Sequence, residues 1–288
     1  MSPRFFPWKD YSGRISPLKL VVFVALFCPA LWTLLCFFMG WLGARPFSEA
    51  IHQVGLWTIR LIFLALLVTP TRQILQWSRL LVVRRMIGVA AFAYALGHFS
   101  LYVADQAFDL VKVASEIALR IYLTIGFAAL IGLAALAATS TDGMIKRMGS
   151  RNWMRLHRYI YLIAVLAVIH YCMQSKLDLW EPMIMAGLLV WLLGYRLLHR
   201  RFAVRQRLPL AWVAALGTVA VLVTAGGEAT YFALAYHAPV MRVLSANWSF
   251  LLGVRPAVVV LGFAGVVTAA GAARAMPPLW AKRRTGFA

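Results

Sequence analysis

The chain has 288 residues, of which 62% are hydrophobic and only 13% charged, and it carries a formal net charge of +20. Apolar runs long enough to cross about 30 Å of hydrocarbon recur along it, which makes it a polytopic helical membrane protein and excludes an ordinary soluble domain. Its three cysteines, Cys28, Cys36 and Cys172, supply no disulfide framework, CxxC motif or zinc site, since Cys28 and Cys36 lie about 12 Å apart along one expected helix.

Eight spans are expected, at roughly 19–40, 52–69, 82–104, 117–138, 154–173, 182–199, 209–226 and 256–273, with joins punctuated at Pro46, Thr69-Pro70, Gly143 and Pro209. The fold class is therefore all-α. It divides into a tail over 1–18, a six-helix core over 19–205 and a two-helix extension over 206–288 with a basic end.

The positive charge falls in alternate loops. Arg4-Lys9-Arg14-Lys19, Arg72-Arg79-Arg84-Arg85, Lys146-Arg147-Arg151-Arg155, Arg196-Arg200-Arg201-Arg205-Arg207 and Lys282-Arg283-Arg284 share one side if each run crosses once. This distribution places both termini in the cytoplasm. It points to anionic lipid as the partner of the basic loops, and away from nucleic acid. Most acids, including Asp105, Glu116, Glu181 and Glu228, fall in the opposite loops, so no carboxylate is expected inside a span.

Taken in order, span two carries Arg60 near its middle, where a cation needs a polar cavity or an anionic partner such as a cofactor carboxylate. Span three, from Arg84-Arg85-Met86 to Tyr102, is apolar except for His98. It is rich in small residues at 88, 90, 91, 93, 95 and 97 that admit a neighbouring helix or a flat macrocycle. The loop over 139–153 reads as a short, basic surface helix between two turns.

Span five holds a histidine near each end, His157 and His170. Spans three and five run the same way, so depth is counted from their basic edges. His98 is thirteen residues beyond Arg85 and His170 fifteen beyond Arg155, rises of about 20 and 22 Å. Two imidazoles at one depth on two helices suit the two faces of one haem iron.

His157 precedes His170 by thirteen residues, about 20 Å along the helix and about 140° around it, so those two cannot clamp one iron. It belongs near the opposite edge, at a second haem, a flavin, a quinone headgroup or the water boundary. Its neighbours Arg155 and Arg158 suit propionates or a flavin phosphate. His199 is a further candidate at that edge, whereas His52 and His237 lie in interfacial positions. With no GxGxxG or P-loop pattern and no loop long enough for a nucleotide-binding domain, electrons must come from a separate donor.

The two histidine segments, Arg84-Arg85-Met86-Ile87-Gly88 through Gly97-His98 and Asn152-Trp153-Met154-Arg155-Leu156-His157-Arg158-Tyr159 through His170-Tyr171, closely resemble one family. It is the haem-binding membrane subunit of the periplasmic protein-methionine-sulfoxide reductase system, the MsrQ (YedZ) family, within the ferric reductase-like transmembrane superfamily. The resemblance covers about residues 15–200. It implies b-type haem, one or two per chain, in the bacterial inner membrane. It implies further that electrons pass from the quinone pool or a cytoplasmic flavin reductase to a periplasmic molybdopterin enzyme that reduces oxidised methionine, a reversible lesion that needs reducing equivalents. His98, His157 and His170 match the haem-associated histidines of the family. Flavin mononucleotide is also attributed to it, with no residue here to assign. Family members usually end after six helices, so the extension over 206–288, with Tyr231, Phe232, Tyr236, Trp248 and Phe250 in its outer segment, is a departure.

Two other readings stand beside this one. A ferric or other metal reductase would use the same core with another terminal acceptor. A transporter lined by histidines is disfavoured by the lack of carboxylates in the spans and of broken helices in repeated halves.

Overall fold

The computed structural model describes residues 6, 8–9, 13–175, 178–204, 207–249 and 253–275. The basic tail at 282–284, Arg4, Arg205 and Phe250 lie outside the described residues. The elements are α1 (Pro17–Ala25), α2 (Cys28–Phe38), α3 (Pro46–Leu75), α4 (Leu81–Asp105), α5 (Leu110–Leu119), α6 (Ile121–Ala138), α7 (Asp142–Met148), α8 (Ser150–His157), α9 (Ile160–Gln174), α10 (Trp180–Phe202), α11 (Leu210–Tyr236), α12 (Val240–Ala246) and α13 (Pro256–Ala275). Among the described residues, eight helical segments are long and apolar enough to cross a membrane. The chain is an all-α, polytopic membrane protein.

Two compact units form, Met1–Val68 with Arg79–Gln174, and Thr69–Ser78 with Ser175–Ala288. In the first, α6 packs on α4, α5 and α9, and α1 packs on α2 and α4. In the second, α10, α11 and α13 pack on one another and α12 on α11, so α10 is grouped with the extension and not with the six-helix core.

Several expected spans are subdivided. The first breaks at Leu26-Phe27 into α1 and α2, because Pro29 cannot continue the hydrogen-bond ladder through that turn. The Tyr94 hydroxyl fills the gap, donating to the Leu26 carbonyl at 2.7 Å and accepting from the Ala30 N–H at 3.0 Å. Span four begins at Ile121, since Arg120 is extended and separates it from the amphipathic α5, which Asp109 caps at the Lys112 N–H. Span five bends at Arg158-Tyr159, where N–H groups bond back three residues to Arg155 and Leu156. The surface helix of the basic loop is α7, capped by Thr141.

Other spans are longer than expected. Helix α3 runs through Pro70 to Leu75. Helix α11 covers 27 residues, about 40 Å, so Tyr231, Phe232 and Tyr236 continue the helix instead of forming a loop. This corrects the expectation of carboxylate-free spans: Glu228 lies inside α11 and is only 3% exposed. Its charge is tolerated there because Arg255, just before α13, pairs with it at 3.1 Å.

The second unit is closed by small residues at helix contacts. A Cβ on Gly217 would stand 2.7 Å from that of Ala264, which cannot turn away, and one on Gly194 2.5 Å from Leu216 Cδ1, which a leucine rotamer change could relieve. Trp191, fully buried, stacks on Tyr195 with centroids 5.4 Å apart and meets Phe263 edge-on at 5.1 Å.

Candidate functional site: a facing histidine pair

The first unit brings His98 of α4 and His170 of α9 together. Their ring centroids lie 6.4 Å apart with planes at 82°. Each ring is oriented by a backbone acceptor on a different helix. His98 Nδ1 lies 2.8 Å from the Ile51 carbonyl of α3, and His170 Nδ1 lies 2.7 Å from the Tyr122 carbonyl of α6. A carbonyl only accepts, so both Nδ1 atoms carry hydrogen and both Nε2 atoms are left as lone-pair donors.

This donor set fits a metal held between two neutral imidazoles. Metal–imidazole bonds of about 2 Å would separate the two centroids by roughly 6.3 Å, close to the spacing observed. The carbonyl partners are of the kind that fix tautomer and ring direction in histidine-ligated metal sites. Among the described residues no cluster of three or more His, Cys, Asp or Glu side chains gathers to hold a bare ion.

Contacts around the pair were invisible in the sequence pattern. Gly55 on α3 backs His98, where a Cβ would lie 2.8 Å from its Nδ1 and Cε1. Gly126 on α6 backs His170, where a Cβ would lie 2.7 Å from its Nδ1. A glycine inside an apolar span is the one signal that could have marked them. The Tyr122 ring stacks on His170 at 6.4 Å and 28°. Its hydroxyl accepts from Arg120 at 3.3 Å, and Arg120 also pairs with Glu116. The Tyr122 hydroxyl first, and Glu116 after it, hold the Arg120 guanidinium protonated beyond its ordinary range.

His157 belongs to a separate cluster. Its Nδ1 lies 3.1 Å from the Trp153 carbonyl, its Nε2 3.3 Å from Ser140 Oγ, and its ring stacks on Trp153 at 3.8 Å. The loop beneath is pinned by Trp153 Nε1 donating to the Thr139 carbonyl at 2.9 Å and by an Arg85–Asp142 ion pair at 2.6 Å. Arg155 and Arg158 are exposed beside it. Arg60 of α3 joins neither cluster in the contacts seen, its guanidinium standing over the Trp57 ring at 5.0 Å. His199, in the second unit, stacks on Tyr195 at 5.9 Å.

A cleft of about 1100 Å³ runs along α1 and α4. Phe23, Ala93 and Tyr94 line its apolar length, and Lys19, Arg85 and Ser140 its polar end.

Residues 54–168 match the family model of the ferric reductase like transmembrane component. The chain is 42% identical over 200 residues to the protein-methionine-sulfoxide reductase heme-binding subunit MsrQ of Rhodospirillum rubrum, covering 69% of this chain and 92% of that one. The chain belongs to the MsrQ family. The MsrQ proteins of Xanthomonas campestris pv. campestris strain 8004 and of Agrobacterium fabrum are 43% and 37% identical over 165 and 187 residues, covering 57% and 65% of this chain and 75% and 86% of their own lengths. No solved structure matches the chain. All of the site residues expected from the MsrQ resemblance fall in the first unit.

Proposed function

We propose that the chain is a haem b membrane subunit of the bacterial inner membrane, with both termini cytoplasmic, that passes electrons outward to a periplasmic molybdopterin methionine sulfoxide reductase. The observation that carries this reading is the His98–His170 pair, each Nδ1 committed to a carbonyl and the centroids 6.4 Å apart. Family membership supports it: the relatives are named protein-methionine-sulfoxide reductase heme-binding subunit MsrQ.

In this reading His98 and His170 would hold the haem iron through their Nε2 atoms. Haem would supply a one-electron couple there. The Ile51 and Tyr122 carbonyls hold the rings in one tautomer, so the imidazoles need no reorganisation when charge changes. Arg60 is assigned to a propionate.

His157, with Arg155 and Arg158, marks the cytoplasmic entry for electrons, at a second haem or beside a flavin mononucleotide or quinone headgroup. The donor is a membrane quinol or a cytoplasmic flavin reductase. A quinol is supported by the cleft along α1 and α4, apolar through its length and polar at Ser140, which touches His157.

The test is a reduced-minus-oxidised spectrum of the purified protein with pyridine haemochrome quantification. The expected result is a b-type spectrum with one or two haems per chain, and loss of the low-spin species in His98→Ala and in His170→Ala. Full retention in both variants overturns the ligand assignment.

A further inference from the structure

The two histidines are held by the same device used twice. His98 meets the carbonyl of residue 51 and the bare backbone of residue 55. His170 meets the carbonyl of residue 122 and the bare backbone of residue 126. In each case one helix presents a carbonyl at position n and a glycine at n+4, the next residue up the same helix face. Within that helix the carbonyl at n already accepts from the N–H at n+4. Only a residue without Cβ at n+4 lets an imidazole slide in beside that bond and share the oxygen's second lone pair.

The spacing repeats as well. The carbonyl-to-histidine separation is 47 residues in the first case and 48 in the second. Both hairpins, α3 with α4 and α6 with α9, place the cradle near the start of the descending helix and the histidine in the later part of the returning one. Because the two rings are adjacent, the hairpins run in the same direction, as in tandem repeats related by an axis along the membrane normal.

We infer that the haem core is a tandem pair of ligand-presenting hairpins, and that Gly55 and Gly126 are positioning residues which set the angle of His98 and His170 toward the iron. This rests on the haem reading above. A methyl group at either position would come within 2.7–2.8 Å of the imidazole Nδ1, and the neighbouring backbone cannot retreat, so the ring itself must swing.

Another glycine of the same unit serves as a control. A Cβ on Gly132, on the same helix as Gly126, meets Ile163 Cδ1 at 2.8 Å and no histidine. Gly132→Ala therefore disturbs packing without touching a ligand.

The experiment compares full-length Gly55→Ala, Gly126→Ala and Gly132→Ala with wild type by electron paramagnetic resonance and by carbon monoxide binding to the reduced protein. The first two variants should lose low-spin signal in favour of high-spin haem and gain carbon monoxide binding, or lose haem that Gly132→Ala retains. Gly132→Ala should keep wild-type spectra while losing thermal stability. Unchanged spectra in Gly55→Ala and Gly126→Ala against a low-spin wild type overturn the cradle alone, as does an equal change in Gly132→Ala. A wild type without haem overturns the functional reading and the cradle together.

Discussion

The imidazole planes of His98 and His170 stand 82° apart, nearly perpendicular, although the two rings are held by equivalent carbonyl contacts. As ligands of a haem iron, each ring would donate π density to the iron orbital perpendicular to its own plane. Parallel rings would then act on one orbital, whereas perpendicular rings would act equally on two and leave them nearly degenerate. The ferric protein is expected to give the strongly anisotropic low-spin resonance of crossed imidazoles, with a single large g value dominating, and not the rhombic three-line spectrum of parallel ones. A well-resolved rhombic signal from wild type would contradict the observed ring angle.

Tyr94 ties the broken first span to α4 through one hydroxyl that both donates and accepts. Tyr94→Phe removes both bonds and leaves the Leu26 carbonyl and Ala30 N–H unsatisfied within a membrane span, where water is scarce, at a cost of about 1–3 kcal/mol. Thermal unfolding should shift down, hydrogen exchange over residues 17–38 should rise, and the haem spectrum should be unchanged, since Tyr94 touches neither histidine cluster in the contacts seen. A spectral change without a stability change would contradict this assignment of Tyr94.

Much of this arrangement was legible in the sequence because charge and hydrophobicity act over whole spans. Counting from the basic edges at Arg85 and Arg155 set His98 and His170 at one depth, and the structure brings them together even though span five bends at Arg158-Tyr159. That bend changes a rise by an ångström or two, too little to separate the pair. The interruptions themselves depend on single residues and their tertiary partners: Pro29 breaks its span because Tyr94 can satisfy the gap, while Pro70 is accommodated within α3. Glu228 read as a loop residue because its compensating charge, Arg255, is 27 positions away in sequence. Gly55 and Gly126 gave no pattern at all, since what matters is the ring each one faces.

His157 shares no contact with the facing pair. Its own contacts, Ser140 and Trp153, are both local to the loop below it. His157→Ala is accordingly expected to preserve the low-spin signal assigned to His98 and His170 while slowing haem reduction by a short-chain hydroquinone in stopped-flow measurements. Ser140→Ala should slow it in the same direction but less, because the His157 ring stays stacked on Trp153. Loss of the crossed-imidazole signal in His157→Ala would contradict the separation of the two clusters.

The Glu228–Arg255 pair is the costliest charge placement in the second unit, and its two halves are unequal. Glu228 is nearly sealed, its side chain 4% exposed, whereas Arg255 keeps 25% of its side chain accessible. Removing Arg255 therefore leaves a carboxylate with no route to water, and breaking a buried pair in this way costs about 3–5 kcal/mol. Removing Glu228 leaves a guanidinium that can turn outward, at a smaller cost. Arg255→Met should lower the unfolding temperature more than Glu228→Met, and the double substitution should recover most of the loss, because two apolar side chains carry no uncompensated charge. The measurement is a double-mutant cycle in thermal unfolding of the detergent-solubilised protein. A double variant as unstable as the sum of the two singles would show that the two side chains are not coupled.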